Sequence, residues 1–278
     1  MLHVHRAERS DRLAEALADV LAEPLADPFA AEVVAVPTRG IERWLAQRLS
    51  HRLGTGPGRE DGVCANVEFP SPAELVAAAL GTPPDDPWRP ERLVWPLLEV
   101  VYSCVGEDWC AALSLYLGAD DDPGAELRRG RRFAAARHIA GLFDRYGEHR
   151  PEMVRAWAAK DDADTPADLA WQPELWRRLR ERLGVASPAE ALEDACLALE
   201  EGRAAAPLPA RLSLYGPTRL SATHLRVLAA LAATREVHLW LPHPSPAMWD
   251  RVAAAPSAGT RPQQGLVPRL TPPASHGP

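Results

Sequence analysis

A phosphate-binding loop needs a glycine-rich turn that points amides at phosphate oxygens, then a lysine for their charge and a Ser or Thr for magnesium, set between a strand and a helix. The turn of this chain that has the right place is Val36, Pro37, Thr38, Arg39 and Gly40. It follows the apolar run Val33, Val34 and Ala35 and precedes a helical pattern of Ile41, Trp44, Leu45 and Leu49. The position is right and the chemistry is absent: Pro37 removes an amide donor, Gly40 is the one glycine, and no lysine follows. Nucleotide hydrolysis at this turn is not expected. Arg39 at a helix amino terminus still makes it a place for an anion such as a DNA phosphate, weighed against a solvated arginine in a structural turn.

The basic runs come next. Arg128, Arg129, Arg131 and Arg132 lead into Arg137 and His138 on one helical pattern, with Arg145 and Arg150 further along, and Arg177, Arg178, Arg180 and Arg182 form a second run. Such runs can track a nucleic-acid backbone through salt-dependent phosphate contacts, or simply form a solvated helix face. No G-x-S-x-G or Cys/His pair marks a nucleophile. Cys64, Cys104, Cys110 and Cys196 are scattered and read as free thiols; His3/His5 and His238/His243 lack the Cys or carboxylate companions that complete a metal shell. Asp120 to Asp122 and Asp161 to Asp164 read as solvated loops. Trp44, Trp157, Trp171, Trp176, Trp240 and Trp249 fall mostly on apolar faces and point to core packing.

These residues must be carried by a substantial fold. The chain has 278 residues, 46% hydrophobic and 25% charged, with a net charge of −7. That balance gives no long-range attraction for nucleic acid, so binding would rest on local patches. Lys160 is the one lysine; arginine forks suit phosphate and carboxylate. No apolar run approaches the ~20 residues of a membrane span, and the amino terminus lacks a secretory layout, so a cytoplasmic protein with no membrane partner is expected.

The pattern along the chain predicts strands over 2–6, 33–36, 63–69, 211–215 and 236–241, with helices over 10–25, 41–49, 73–80 and 222–233. Between 83 and 202 the periodicity is helical throughout, over 91–105, 125–146, 151–159, 173–183 and 189–202. The fold class expected is α/β: a parallel sheet, residues 1–82 and 205–253, interrupted by a helical insertion, 83–204. Residues 254–278, rich in Pro, Ala, Gly and Ser, are expected to be a disordered tail and to mark a truncated chain.

Several segments together resemble the amino-terminal region of the RecC family, the gamma chain of bacterial exodeoxyribonuclease V. They are Met1, Leu2, Val4 and Ala7; Asp27, Pro28 and Phe29; Val36, Gly40, Ile41, Trp44 and Leu45; Ala65 through Pro72; Leu142 through Tyr146 with Arg150 and Pro151; Trp171, Gln172, Leu175 and Trp176; and Leu208, Pro209 and Gly216. The resemblance implies a superfamily 1 helicase-like, P-loop-type fold whose nucleotide site is degenerate, in agreement with the empty turn. It implies a noncatalytic subunit that joins a helicase-nuclease beta subunit and a helicase alpha subunit, splits duplex DNA and guides single strands during double-strand-break repair by recombination. No cofactor is expected in this chain; ATP and Mg belong to the partner subunits. Relatives in the family also read a recombination hotspot, and Leu142, Asp144 and Arg150 stand where that pattern is kept. Pro37, Arg39, Ser71, Ala77 and Gly141 depart from it, so hotspot reading is not expected, whereas general strand guidance is: an added arginine favours phosphate over base contact. The DNA-contact candidates are Arg39, Leu142, Asp144, Arg150, Arg131 and Arg132. A protein-interaction scaffold without DNA contact, and a hydrolase of unrecognised type, remain the alternatives.

Overall fold

The computed structural model describes residues 1–254 apart from 28, 57, 59–61, 118–129, 205–207 and 244. The expected tail 254–278 thus lies almost wholly outside the described residues, as do Arg128, Arg129, the aspartates 120–122 and the start of the helix predicted over 125–146.

Five parallel strands form one sheet in the order β1 (Leu2–Ala7), β5 (Glu236–Pro242), β4 (Arg211–Tyr215), β2 (Glu32–Ala35), β3 (Val67–Glu68). The register sets Val33 beside Leu212 and Leu212 beside Val237. Alternation along each strand then divides the sheet into two apolar faces. Val34, Val36, Tyr215 and Trp240 meet α1 (Ser10–Leu21) and α2 (Arg39–Ser50) through Leu13, Leu17, Leu45 and Leu49. Val33, Ala35, Leu212, Leu214, Val237 and Leu239 meet α3 (Pro72–Leu80) and α10 (Ala222–Thr234) through Leu75, Val76, Val227 and Leu231. Both faces are covered, as a parallel sheet requires.

A third apolar cluster is mainly helical. It is built from α4 (Pro90–Cys104), α5 (Ala111–Leu117), α6 (Arg131–His149), α7 (Pro151–Ala158) and α8 (Trp171–Leu183), packed around Leu97, Val101, Ala136, Phe143, Trp157 and Trp176. The next helix, α9 (Pro188–Glu200), puts Leu192, Cys196 and Leu199 onto the sheet's layer and only Ala189 into the helical cluster. The chain then re-enters the sheet at β4. A last helix, α11 (Pro246–Ala254), follows β5.

Two predicted elements are shorter in the structure. The strand expected over 63–69 is reduced to Val67–Glu68 because Asn66 takes a left-handed φ of 57° and its Nδ2 donates to the Ala30 carbonyl at 2.8 Å. The first helix stops at Leu21 rather than 25, since Pro24 supplies no amide donor. Two short helices, α5 and α11, carried too little periodicity to be predicted. Among the described residues no helix is long and apolar enough to cross a membrane.

The edge of the sheet holds a column of imidazoles. His3, His5 and His238 stack with centroids 4.7 Å (His3 to His238) and 5.2 Å (His5 to His238) apart, and His5 lies 3.8 Å from the Trp240 ring. Burial, reinforced by His3 and His5, pushes the His238 pKa down to about 4 from 6.5, and burial also lowers that of His5. A folded pKa below the unfolded value means the fold prefers the neutral ring: the stabilisation is complete above pH 6.5 and is lost as pH falls toward 4. Unfolding by urea at stepped pH should therefore show stability declining below 6.5, with a shallower decline in His238→Asn. Identical profiles for the two proteins would refute the assignment.

Candidate nucleic-acid interface

The helices after β2 and β4 leave toward opposite faces of the sheet, which opens a crevice at the carboxyl ends of these neighbouring strands, the usual place for a ligand in an open parallel sheet. The β2–α2 turn forms one wall. Thr38 caps α2, its Oγ1 accepting from the Ile41 amide at 3.3 Å, so this hydroxyl is already engaged by the backbone. Gly216, at the end of β4, has φ +64°, and a Cβ there would sit 4.0 Å from the Ile41 side chain: the left-handed conformation, not crowding, is what favours glycine.

The other wall is the start of α3. Ser71 and Glu74 form a capping box: Ser71 Oγ accepts from the Glu74 amide at 3.2 Å, and Glu74 Oε2 accepts from the Ser71 amide at 2.7 Å. The Val36 amide donates to the Pro70 carbonyl at 2.9 Å and ties the two walls together. Between them lies a cavity of about 570 Å³ whose polar lining includes Arg39, Glu42, Arg43 and Glu74. The Ser71 hydrogen bonds, and more weakly the Arg39 charge, hold the Glu74 carboxyl below its ordinary pKa. It is an anion facing two guanidinium-bearing residues across the cavity.

Glu74 also lines a second cavity, of about 440 Å³, between α3 and α10 on one side and α4, α6 and α9 on the other. Its floor is apolar, with Val76, Leu93, Phe143 and Trp176; Asp86, Glu91, Asp144 and Glu148 line it with carboxylates. Asp144 reaches solvent within this concavity, yet the surrounding protein pushes its carboxyl pKa up, helped by Glu148 and Glu91. His224 stands 3.4 Å from Glu148, and burial lowers its pKa against the pull of that carboxylate. Glu74 thus lines both cavities, one at the strand ends and one against the helical cluster.

Of the predicted contact residues, Arg39 lines the first cavity and Asp144 the second. Leu142, half-buried, is on the same helix as Asp144. Arg150, exposed, ends α6 and begins α7, its amide donating to the Tyr146 carbonyl at 2.8 Å. Arg131, also exposed, starts that 19-residue helix, roughly 28 Å from Arg150 at 1.5 Å per residue, so the two are not brought together. Arg132 is 4% exposed with its guanidinium 4.7 Å from the Tyr102 ring centroid, a packed position rather than a presented one. The second basic run is spent on ion pairs, within its own helix to Glu174 from Arg177 and Arg178, and beyond it from Arg177 to Asp162, Arg178 to Glu107, Arg180 to Glu190 and Arg182 to Glu99. Three site residues were missed from sequence: Arg43, Glu74 and Glu148. Arg43 follows Arg39 by one helical turn, and the S-x-x-E spacing of Ser71 and Glu74 is a capping-box signature; both signals were present.

Among the described residues no group of three or more His, Cys, Asp or Glu side chains is placed to hold a metal ion. Ser71 lines the first cavity and Ala77 the second.

A family model described as "RecC, N-terminal domain" matches residues 2–266. The RecBCD enzyme subunit RecC of Mycobacterium tuberculosis (strain CDC 1551 / Oshkosh) is 51% identical over 96% of this chain and 24% of its own length. That of Mycolicibacterium smegmatis is 47% identical over 91% of the chain and 22% of its own length. That of Escherichia coli K12 is 28% identical over 80% of the chain and 20% of its own length. The chain thus spans about a quarter of the length of these relatives.

Proposed function

The chain belongs to the RecC N-terminal domain family, and from that membership we propose that it is a noncatalytic, strand-guiding part of a RecBCD-type helicase-nuclease acting in recombinational repair of double-strand breaks. Its partners in this reading are the helicase-nuclease beta subunit, the helicase alpha subunit and the single- and double-stranded DNA between them. ATP and magnesium are handled by those subunits in the cytoplasm. The sheet is read as a helicase-like domain whose nucleotide site is degenerate, with the helical cluster as an insertion in it. The chain's one lysine, Lys160, follows α7 in the helical part, so no strand-to-helix turn of the sheet carries a phosphate-loop lysine.

The observation that carries the proposal is the pair of cavities that share Glu74 as a lining residue. Arg39 and Arg43, at the start of α2, supply guanidinium groups and a helix amino terminus for phosphates. Asp144 and Glu148, in the second cavity, can accept hydrogen bonds from base amino groups, as carboxylates do from cytosine N4. In this reading the substituted positions Ser71, in the first cavity, and Ala77, in the second, set the two cavities apart from the hotspot-reading pattern and leave backbone guidance as their task.

In the assembled complex, Arg39→Ala with Arg43→Ala should weaken crosslinking to single-stranded DNA and reduce the slope of log affinity against log salt by about 1 for each phosphate that no longer meets an arginine. Unchanged crosslinking and slope would refute strand guidance. ATPase turnover by the purified chain alone would refute the noncatalytic assignment. The pairing of the second basic run favours the alternative, a scaffold without DNA contact. Absence of any DNA crosslink to this chain in the complex would decide for it.

A further inference from the structure

β1 is an edge strand, paired on one side with β5. The Met1 carbonyl accepts from the Val237 amide and the Ala7 carbonyl from the His243 amide, each at 2.9 Å. In a parallel ladder alternate residues bond the same neighbour, so the odd-numbered residues of β1 serve β5 and the amides and carbonyls of Leu2, Val4 and Arg6 point away from the sheet. The side chains of these same three residues share the face opposite α1. Leu2 is 45% and Val4 50% exposed there, on an edge without proline, lysine or bulge to discourage pairing.

Topology says what comes beside it. Two crossovers, β1–α1–β2 and β2–α2–β3, run one way across the sheet with their helices on one face. The next two, β3 to β4 and β4–α10–β5, run back with their helices on the other. All four share one hand, which for parallel crossovers is the right hand in about 98% of cases. The helix after β5, α11, lies on that second face: the Arg6 guanidinium sits 5.1 Å from the Trp249 ring centroid. A right-handed crossover through α11 must continue in the same direction, past β1, because the place beside β5 is taken. It emerges at the free edge.

We infer that the outer edge of β1 is the docking edge for a sixth parallel strand, supplied by the portion of a RecC-length chain that lies beyond residue 254. This goes beyond strand guidance and does not depend on it. Residues 255–278 are poor donors of such a strand, since their prolines leave no proline-free run longer than five residues against the six of β1. The matched relatives carry about three quarters of their length outside the matched region. The incoming strand would place alternate apolar side chains beside Leu2 and Val4, and its backbone would bond the outward groups of Leu2, Val4 and Arg6.

Amide hydrogen exchange tests this on the 278-residue chain at two concentrations, and on the same chain fused to the remainder of the Mycobacterium tuberculosis relative. In the fusion, the Val4 and Arg6 amides should exchange at least about 100-fold more slowly than in the isolated chain, while His5 is protected in both. Val4→Pro removes an outward amide and leaves the β5 ladder intact, so in the fusion it should return Arg6 to fast exchange without loss of protection at His5. Equal exchange of Val4 and Arg6 in the two proteins would overturn the inference. So would protection in the isolated chain that grows with concentration, which would assign the edge to a second copy. Should the fusion fail to fold, shown by lost protection at His5, the matching strand of the intact relative decides: slow exchange at every amide supports a covered edge, and fast exchange at alternate amides overturns it. DNA crosslinking enters none of these readouts, so failure of the DNA reading and failure of this one are separable.

Discussion

Replacing Glu32 with alanine is expected to lower the unfolding free energy by about 3–5 kcal/mol, the scale seen when one partner of a buried ion pair is removed. The register of β2 and β4 sets Glu32 beside Arg211, and only 13% and 9% of the two side chains remain exposed. Arg211 Nε donates to Glu32 Oε2 at 3.3 Å, Nη2 also contacts Oε1, and Nη2 donates to the Glu23 carbonyl at 2.6 Å. A guanidinium cannot shed its charge, so without Glu32 it stays buried with one backbone acceptor. Urea unfolding should show the full loss in Glu32→Ala and recovery of most of it in the double variant Glu32→Ala/Arg211→Met, where no charge is stranded. A double variant as unstable as the single one would show that packing, not the stranded charge, sets the cost. The pair lies at the amino ends of the strands, away from Arg39, so the folded variant should retain DNA crosslinking.

Trp176→Ala is expected to cost about 3–5 kcal/mol through the apolar burial it removes and the void left behind. Trp176 is 1% exposed in the helical cluster, with its ring 5.7 Å from that of Trp88 and 6.4 Å from that of Trp157, and it forms part of the floor of the acidic cavity. The loss should be local. Amide protection should fall in α4, α6 and α8 and persist in β4 and β5 if the helical part is a separate cooperative unit, as the proposed insertion requires. Equal loss in both parts would argue for one unit. Trp176→Phe should fall between the wild type and the alanine variant, because a ring still fills most of the space.

Much of the fold was legible because it rests on local period. The apolar run ending at Val36 could only be a strand buried on both faces, and Leu13, Leu17 and Leu21 fall on one helical stripe. The shortening at Asn66 was not legible, since it depends on a side-chain bond to Ala30, 36 residues away. The same distinction governs the arginines. Arg39 was found because its place after β2 is local, and Arg43 one turn on was equally readable. Arg177 to Arg182 look basic in sequence and are neutralised in the fold, since Glu107 and Glu99 arrive from 71 and 83 residues upstream. Arg132 looks like part of a phosphate-tracking run and is buried over Tyr102.

Sequence by itself determined that the turn after β2 lacks the residues of a phosphate loop. A missing lysine, a single glycine and Pro37 are absences of atoms, and no folding can restore them. It also settled the alternation of strand and helix, because hydrophobic period is a property of neighbours along the chain. Only the tertiary structure decided what the turn adjoins. Glu74 lines both the crevice beside Arg39 and the cavity holding Asp144 because residues more than a hundred positions later return to pack on α3. Which charges meet across a cavity, and which strand is left at an edge, are set by contacts distant in sequence, and those carry no local period to be read.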